Sequence, residues 1–238
     1  MSATAITDRY TGDDYLARNP DWHVADSAWK ADQIATGLGD YRPRTVCEVG
    51  CGAGEILVQL QPRLAAERLV GYDIAPAAIE LARQRESGGL VFRLEDAVQS
   101  PEHFDLMLVI DVIEHVENPI GFLRSLRSKA DRTVLHVPLD LSAQSVLRPG
   151  RLMNARREVG HIHYFTRETA IATVQDAGYR VLSSQFTAVT LDRPVSSRKA
   201  RIARLPRAAL PRPVAARLLG GFSLLIVADN ESATAAQS

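Results

Sequence analysis

VCEVGCGAGEI, residues 46–56, is the stretch on which the reading of this chain turns. It runs from a β-branched, apolar pattern into Gly50, Gly52 and Gly54, with Glu48 two positions ahead of the first glycine. Glycine leaves the main chain bare and free to take positive φ. A strand that breaks into alternate glycines before a helix therefore lets a ligand lie against backbone N–H groups. Two ligand chemistries suit such a turn. A dinucleotide calls for G-x-G-x-x-G, with a pyrophosphate at the positive end of the helix, but position 55 is Glu, which repels phosphate. The other is a ligand with a cationic tail, which Glu48 attracts.

The surrounding sequence repeats one rhythm. TVCEVG is followed by LVGYDI, LVFRLE, FDLMLVID and TVLHVP, each a near-continuous apolar run such as a parallel strand buried on both faces requires. Pro76 opens the helical pattern PAAIELARQRE. Asn118-Pro119 supplies a cap and a first-turn proline for IGFLRSLRSK, and Thr166 caps RETAIATVQDA, which Gly178 ends. YRVLSSQFTAV and FSLLIVAD bring the strands to seven, so an α/β fold with helices on both faces of one sheet is expected.

The turn in the form Glu48-Val-Gly50-Cys51-Gly52-Ala-Gly54, with Asp73 ending the second strand in GYDIAP and Asp96 following the third in LEDA, resembles the class I S-adenosylmethionine-dependent methyltransferases. The resemblance covers roughly residues 44–190 and implies a Rossmann-like, doubly wound seven-stranded sheet, mostly parallel with the last strand antiparallel. It implies that Asp73 accepts the ribose hydroxyls, that Ile74 covers the adenine and that Asp96 takes the adenine amino group. Glu48, Gly50, Cys51, Gly52, Gly54, Ala97 and Asp111 complete the implied set for the donor, S-adenosylmethionine. Acids at the carboxyl ends of successive strands converge where open α/β sheets bind ligands.

Strand four runs into DVIEHVENP, which carries Glu114 and His115. In the methyltransferases this stretch resembles, an acid and a His here border the acceptor. An alcohol acceptor must lose its proton, and an imidazole titrating near about 6.5 suits that task. His115 is the expected base. In GHIHYFT, extended alternation puts His161 and His163 on one face as further catalytic candidates. No metal is expected, because the obvious remaining ligands are only Glu114, His115 or His136. His136, inside TVLHVP, reads as a core residue.

The implied reaction is methyl transfer to a small-molecule acceptor, an oxygen of a sugar or natural-product intermediate, as in bacterial stand-alone enzymes of glycan or natural-product tailoring. N-methylation, RNA methylation and a non-catalytic binding protein of the same fold are the alternatives. The expected organisation is an N-terminal lid over residues 1–40, which concentrates Tyr10, Tyr15, Trp22, His23 and Trp29, and a methyltransferase domain over 41–238. Two segments, about 139–163 and 193–217, interrupt the alternation as insertions. The second holds eight Arg or Lys and no acid, in a chain otherwise balanced at 28 basic and 28 acidic residues. It suits an anionic acceptor, a membrane face or a lipid-linked substrate, while nucleic acid is not expected. The start MSATAITDRYTGDDY lacks a secretory pattern and no run approaches the roughly 18 apolar residues of a membrane span, so the expected location is cytoplasmic. Cys47 and Cys51 read as small buried residues.

Overall fold

The computed structural model describes residues 24–193 and 204–230. Seven strands follow one another in the chain: β1 (Thr45–Val49), β2 (Arg68–Asp73), β3 (Leu90–Leu94), β4 (Phe104–Ile110), β5 (Ala130–Pro138), β6 (Tyr179–Thr187) and β7 (Ser223–Asn230). They form one sheet in the order β3-β2-β1-β4-β5-β7-β6. The pairs from β3 through β5 are parallel, and β7 runs antiparallel to both β5 and β6. This is the seven-stranded sheet with an antiparallel last strand that the sequence led us to expect.

The helices around it include α1 (Ser27–Leu38), α2 (Glu55–Leu64), α3 (Pro76–Arg83), α4 (Pro119–Leu126), α5 (Ala143–Leu147), α6 (Arg151–Glu158), α7 (Arg167–Asp176), the short α8 (Val189–Asp192) and α9 (Arg212–Leu219). Strand β4 shows why both faces need cover. Leu106, Leu108 and Ile110 enter one apolar layer and Met107 and Val109 the other, because successive strand side chains point to opposite faces. The first layer is closed by Ile34 of α1, Leu57 and Leu60 of α2, and Ile79 of α3. Leu123 and Leu126 of α4 and Val174 of α7 close the second.

Local signals in the sequence start these helices where expected. Asn118 Oδ1 accepts the Gly121 N–H at 2.9 Å with Pro119 in the first turn of α4, and Thr166 forms a reciprocal cap with Thr169 at the start of α7. Segment 139–163 is not an open loop but folds into α5 and α6, and Leu139 and Leu141 donate to the carbonyls of Phe222 and Phe165. The basic segment lies partly outside the described residues; its last part enters α9, with Pro213 in the first turn. Among the described residues no helix is long and apolar enough to cross a membrane.

Strand order reverses at β1, which has β2 on one side and β4 on the other. The loops leaving the carboxyl ends of β1 and β4 therefore diverge, and a crevice opens between them.

Candidate active site

A cavity of about 680 Å³ fills that crevice. It is lined by Glu48, Gly50, Cys51 and Gly52 from the end of β1, Asp73 and Ile74 from β2, Asp96 and Ala97 after β3, and Asp111, Glu114 and His115 after β4, with His161 entering from the segment before α7. Gly50, Gly52 and Gly54 all have positive φ, and the N–H groups of Gly50 and Cys51 both bond the Tyr72 carbonyl, which ties the turn to β2. A side chain at Gly50 would meet Val112 at 2.9 Å.

Asp73 accepts the Gly52 N–H at 2.8 Å on one oxygen and the Ala75 N–H at 2.8 Å on the other. Burial pushes its carboxyl pKa up, while these amides pull the other way. Asp96 is braced by the Val98 N–H at 2.9 Å. Ile74 is 42% exposed within the cavity, an apolar surface available to a flat ring.

Glu48 is only 1% exposed, yet its Oε2 meets no donor among the described residues. Burial raises its pKa strongly, Lys30 lowers it, and Asp73 and Asp111 raise it further. A buried carboxylate in that state gains most from a cation entering the cavity.

Asp111 has φ of 54°, a conformation that side chains other than glycine rarely adopt. It is held there from two directions. Lys30 Nζ lies 2.6 Å from Oδ2, and His136 Nδ1 lies 2.6 Å from Oδ1. Burial alone would raise the Asp111 pKa, but His136 and Lys30 carry it well below the usual carboxylate range. His136 Nε2 continues the chain to Thr187 Oγ1 at 3.0 Å, and the Trp29 ring meets the imidazole edge-on. His136 is thus buried as expected, but it belongs to the cavity wall as well as the core.

Beyond Asp111 lies a second group. Glu114 is 0% exposed with neither carboxylate oxygen hydrogen-bonded among the described residues, and burial followed by Asp111 pushes its pKa well up. The Glu114 carbonyl accepts the Ile162 and His163 N–H groups, which brings His161 beside His115 with ring centroids 5.0 Å apart. His161 Nδ1 lies 2.6 Å from Asp140 Oδ2. A carboxylate only accepts, so Nδ1 carries a hydrogen, and in the neutral imidazole the lone pair is on Nε2.

The sequence matches the methyltransferase domain family over residues 22–184, more than half its length. The chain belongs to that family. Among curated relatives, a ubiquinone biosynthesis O-methyltransferase of Cereibacter sphaeroides is 37% identical over 86 residues, which is 34% of each chain. That of Neisseria meningitidis is 30% identical over 121 residues, 47% of this chain and 50% of the relative. The matched stretch therefore spans a third to a half of those relatives. Among solved structures, the magnesium protoporphyrin IX methyltransferase of Synechocystis with bound S-adenosylhomocysteine has a TM-score of 0.63 at 17% identity, covering 96% of this chain and 99% of that one. The N-methyltransferase NodS of Bradyrhizobium japonicum has 0.58 at 18%, covering 96% and 98%. At these identities the likeness is one of fold.

Two residues expected in the methyltransferase site are not among those that line the cavity. Gly54 does not line the cavity. It caps α2 with φ of 80°, and a Cβ there would lie 2.3 Å from the Phe92 ring, so its bareness serves the contact between α2 and β3. His163 also lies outside the lining, with Nε2 3.3 Å from the Glu117 carbonyl and its ring beside Phe165. The segment carries no ladder pairing to enforce strict alternation, so His161 turns inward without it. Conversely, Lys30, Asp140 and Thr187 were not singled out in the sequence, where nothing marks them. Of the expected lid, Tyr10, Tyr15, Trp22 and His23 lie outside the described residues; Trp29 sits on α1, a wall of the cavity.

Proposed function

We propose that this chain transfers a methyl group from S-adenosylmethionine to an oxygen of a small-molecule acceptor. The observation that carries the reading is the buried Glu48 at the glycine turn, whose Oε2 meets no donor among the described residues, with Asp73 and Asp96 around the same cavity. A cationic amino-acid tail matches Glu48, ribose hydroxyls match Asp73, and Ile74 and Asp96 suit a ring with an amino edge. A pyrophosphate would meet these acids unfavourably. When bound, the donor supplies an electrophilic methyl on a sulfonium centre. The chain's own part is to orient the two reactants and to keep water out. Glu114, His115 and His161, on the far side of Asp111 from the glycine turn in sequence and facing the same cavity, meet the acceptor hydroxyl and promote loss of its proton.

The names of the partial relatives support oxygen as the acceptor atom. Calorimetry with S-adenosylhomocysteine, followed by a product assay over dihydroxy aromatics, sugars and natural-product alcohols, tests the reading. Binding that Asp73→Asn weakens at least tenfold, with turnover on an oxygen acceptor, is the expected result. Stabilisation by NAD and not by S-adenosylhomocysteine would refute it.

Exposed apolar side chains on α5, α6 and α9 support an anionic lipid face as the place where the acceptor is met. Leu147 is 79% exposed on α5, which packs against α6 and α9, and Val146 on α5, Met153 on α6, Leu218 on α9 and, ahead of α9, Leu205 are exposed as well. Burial, then the charges of Arg151 and Arg148, depress the Arg207 pKa, so these three guanidinium groups are gathered. Exposed apolar side chains among clustered cations fit an anionic bilayer surface. Co-sedimentation with vesicles containing phosphatidylglycerol, and not with phosphatidylcholine alone, is expected; it should fall severalfold in Leu147→Glu/Arg148→Glu. Equal recovery with both vesicles rejects this part.

A further inference from the structure

We infer that Glu114, His115 and His161 bind a divalent metal ion on the acceptor side of the cavity, with coordination positions left open for the acceptor oxygen. The inference deepens the proposed function and rests on it for the identity of the fourth ligand. The metal site itself stands on separate observations.

The first is the state of Glu114. A fully buried carboxylate whose two oxygens find no donor among the described residues is costly unless something cationic meets it. The groups closest to filling that role are the two imidazoles. His115 Nε2 lies 3.9 Å from Glu114 Oε1 and His161 Nε2 lies 4.0 Å from the same atom, too far for hydrogen bonds.

The second is spacing. One ligand atom from each residue can be chosen so that all lie within 4.8 Å of one another. Ligands held at about 2.0–2.2 Å from one ion stand about 3–4 Å apart, so closing this set takes side-chain shifts of about 1 Å or less. The rings meet edge to face, at 71°, as two imidazoles converging on one point can.

The third lies behind the ligands. Asp140 Oδ2 accepts from His161 Nδ1 at 2.6 Å, which fixes the ring and turns the Nε2 lone pair toward Glu114. A carboxylate behind a metal-binding imidazole has this arrangement and raises its basicity.

The donor set decides the kind of ion. Two imidazoles and one carboxylate favour first-row divalent metals such as Zn²⁺ or Mn²⁺ over Ca²⁺. Three protein ligands and a cavity in front of them leave positions open, unlike the closed shell of a structural site. An acceptor hydroxyl bound there becomes a stronger acid and gives its proton to water at lower pH. The imidazoles then act on the acceptor through the ion. From the sequence, Glu114 and His115 were among the few remaining ligands and no metal was expected, because nothing in the spacing shows that residues 114–115 and 161 meet. It is the bonds from Ile162 and His163 to the Glu114 carbonyl that bring them together.

Isothermal titration of the full chain, stripped with chelator and saturated with S-adenosylhomocysteine, tests the site with Zn²⁺ and separately with Mn²⁺. One site per chain is expected for at least one of them, weakened at least a hundredfold in Glu114→Gln and in His161→Ala. Asp140→Asn, which keeps all three ligands, should weaken it about 10–100-fold. Thermal melts and S-adenosylhomocysteine binding report whether each variant is folded. Absence of binding by both ions overturns the inference, and so does binding that survives unchanged in the folded variants. In both cases retained S-adenosylhomocysteine binding leaves the methyl-transfer reading standing, whereas its loss in the native protein would remove that reading alone.

Discussion

Gly54 in the glycine turn and Asp73 at the end of β2 separate packing from ligand binding. Gly54 holds φ of 80° and a Cβ there would collide with Phe92, a ring anchored in β3. Gly54→Ala therefore combines backbone strain with overpacking and should lower stability by about 2–4 kcal/mol, measured by urea unfolding. Donor affinity of the folded variant should change far less, because the residue does not line the cavity. Asp73→Asn should behave in the opposite way. It keeps the shape but loses the charge that strengthens hydrogen bonds to a ligand, a loss of about 1.5–3 kcal/mol in donor binding with a smaller effect on unfolding. The sequence placed both in the donor site. Glu48 stands in β1, Asp73 ends β2 and Asp96 follows β3, so the apolar runs that announce those strands also placed the three acids around one cavity. Gly54 stands between Ala53 and Glu55, which line the cavity, but its bareness also serves a side chain 38 positions away in the chain, on another strand, which the sequence does not show.

At the scale of elements, α1 is joined to the end of β4 by a partly buried ion pair. Lys30 on α1 bonds Asp111, which also holds His136 on β5, so one carboxylate binds a helix and two strands. Lys30→Met should cost about 3 kcal/mol by leaving Asp111 short of a partner, and hydrogen exchange should rise first in α1. A pH dependence follows with a definite sign. Lys30 and His136 face Asp111 directly, and the buried carboxyls of Glu48 and Glu114, whose pKa Asp111 helps to raise, lie near it. The folded pKa of Asp111 is depressed, so its contribution to stability is complete above the unfolded value near about 3.9 and is lost as pH falls below that toward the folded one. Urea midpoints between about pH 6 and pH 3 should therefore fall more steeply for the native chain than for Asp111→Asn, which begins lower. Helix starts were legible at this scale: Asn118-Pro119 and Thr166 act through atoms within three residues. Lys30 was not, since its partner lies 81 positions away.

The whole molecule offers a test that needs no variant. A ligand that binds only the folded form stabilises it by about 2.7 kcal/mol at a hundred times its Kd. For a chain of this size that corresponds to a rise in Tm of about 5–10 °C, so S-adenosylhomocysteine at that concentration should produce it and NAD should not. The alternation of apolar runs and helical patterns, with their caps, determined the α/β sheet and which ends of its strands carry acids, because strand and helix periodicities are local properties of a chain. Only the tertiary structure decided that Glu114, His115 and His161 form one cluster backed by Asp140, that Lys30 and His136 share Asp111, that Gly54 meets Phe92, and that His163 is not among the residues lining the cavity. Those facts depend on how segments distant in sequence are brought together and turned, and residue spacing alone does not encode that.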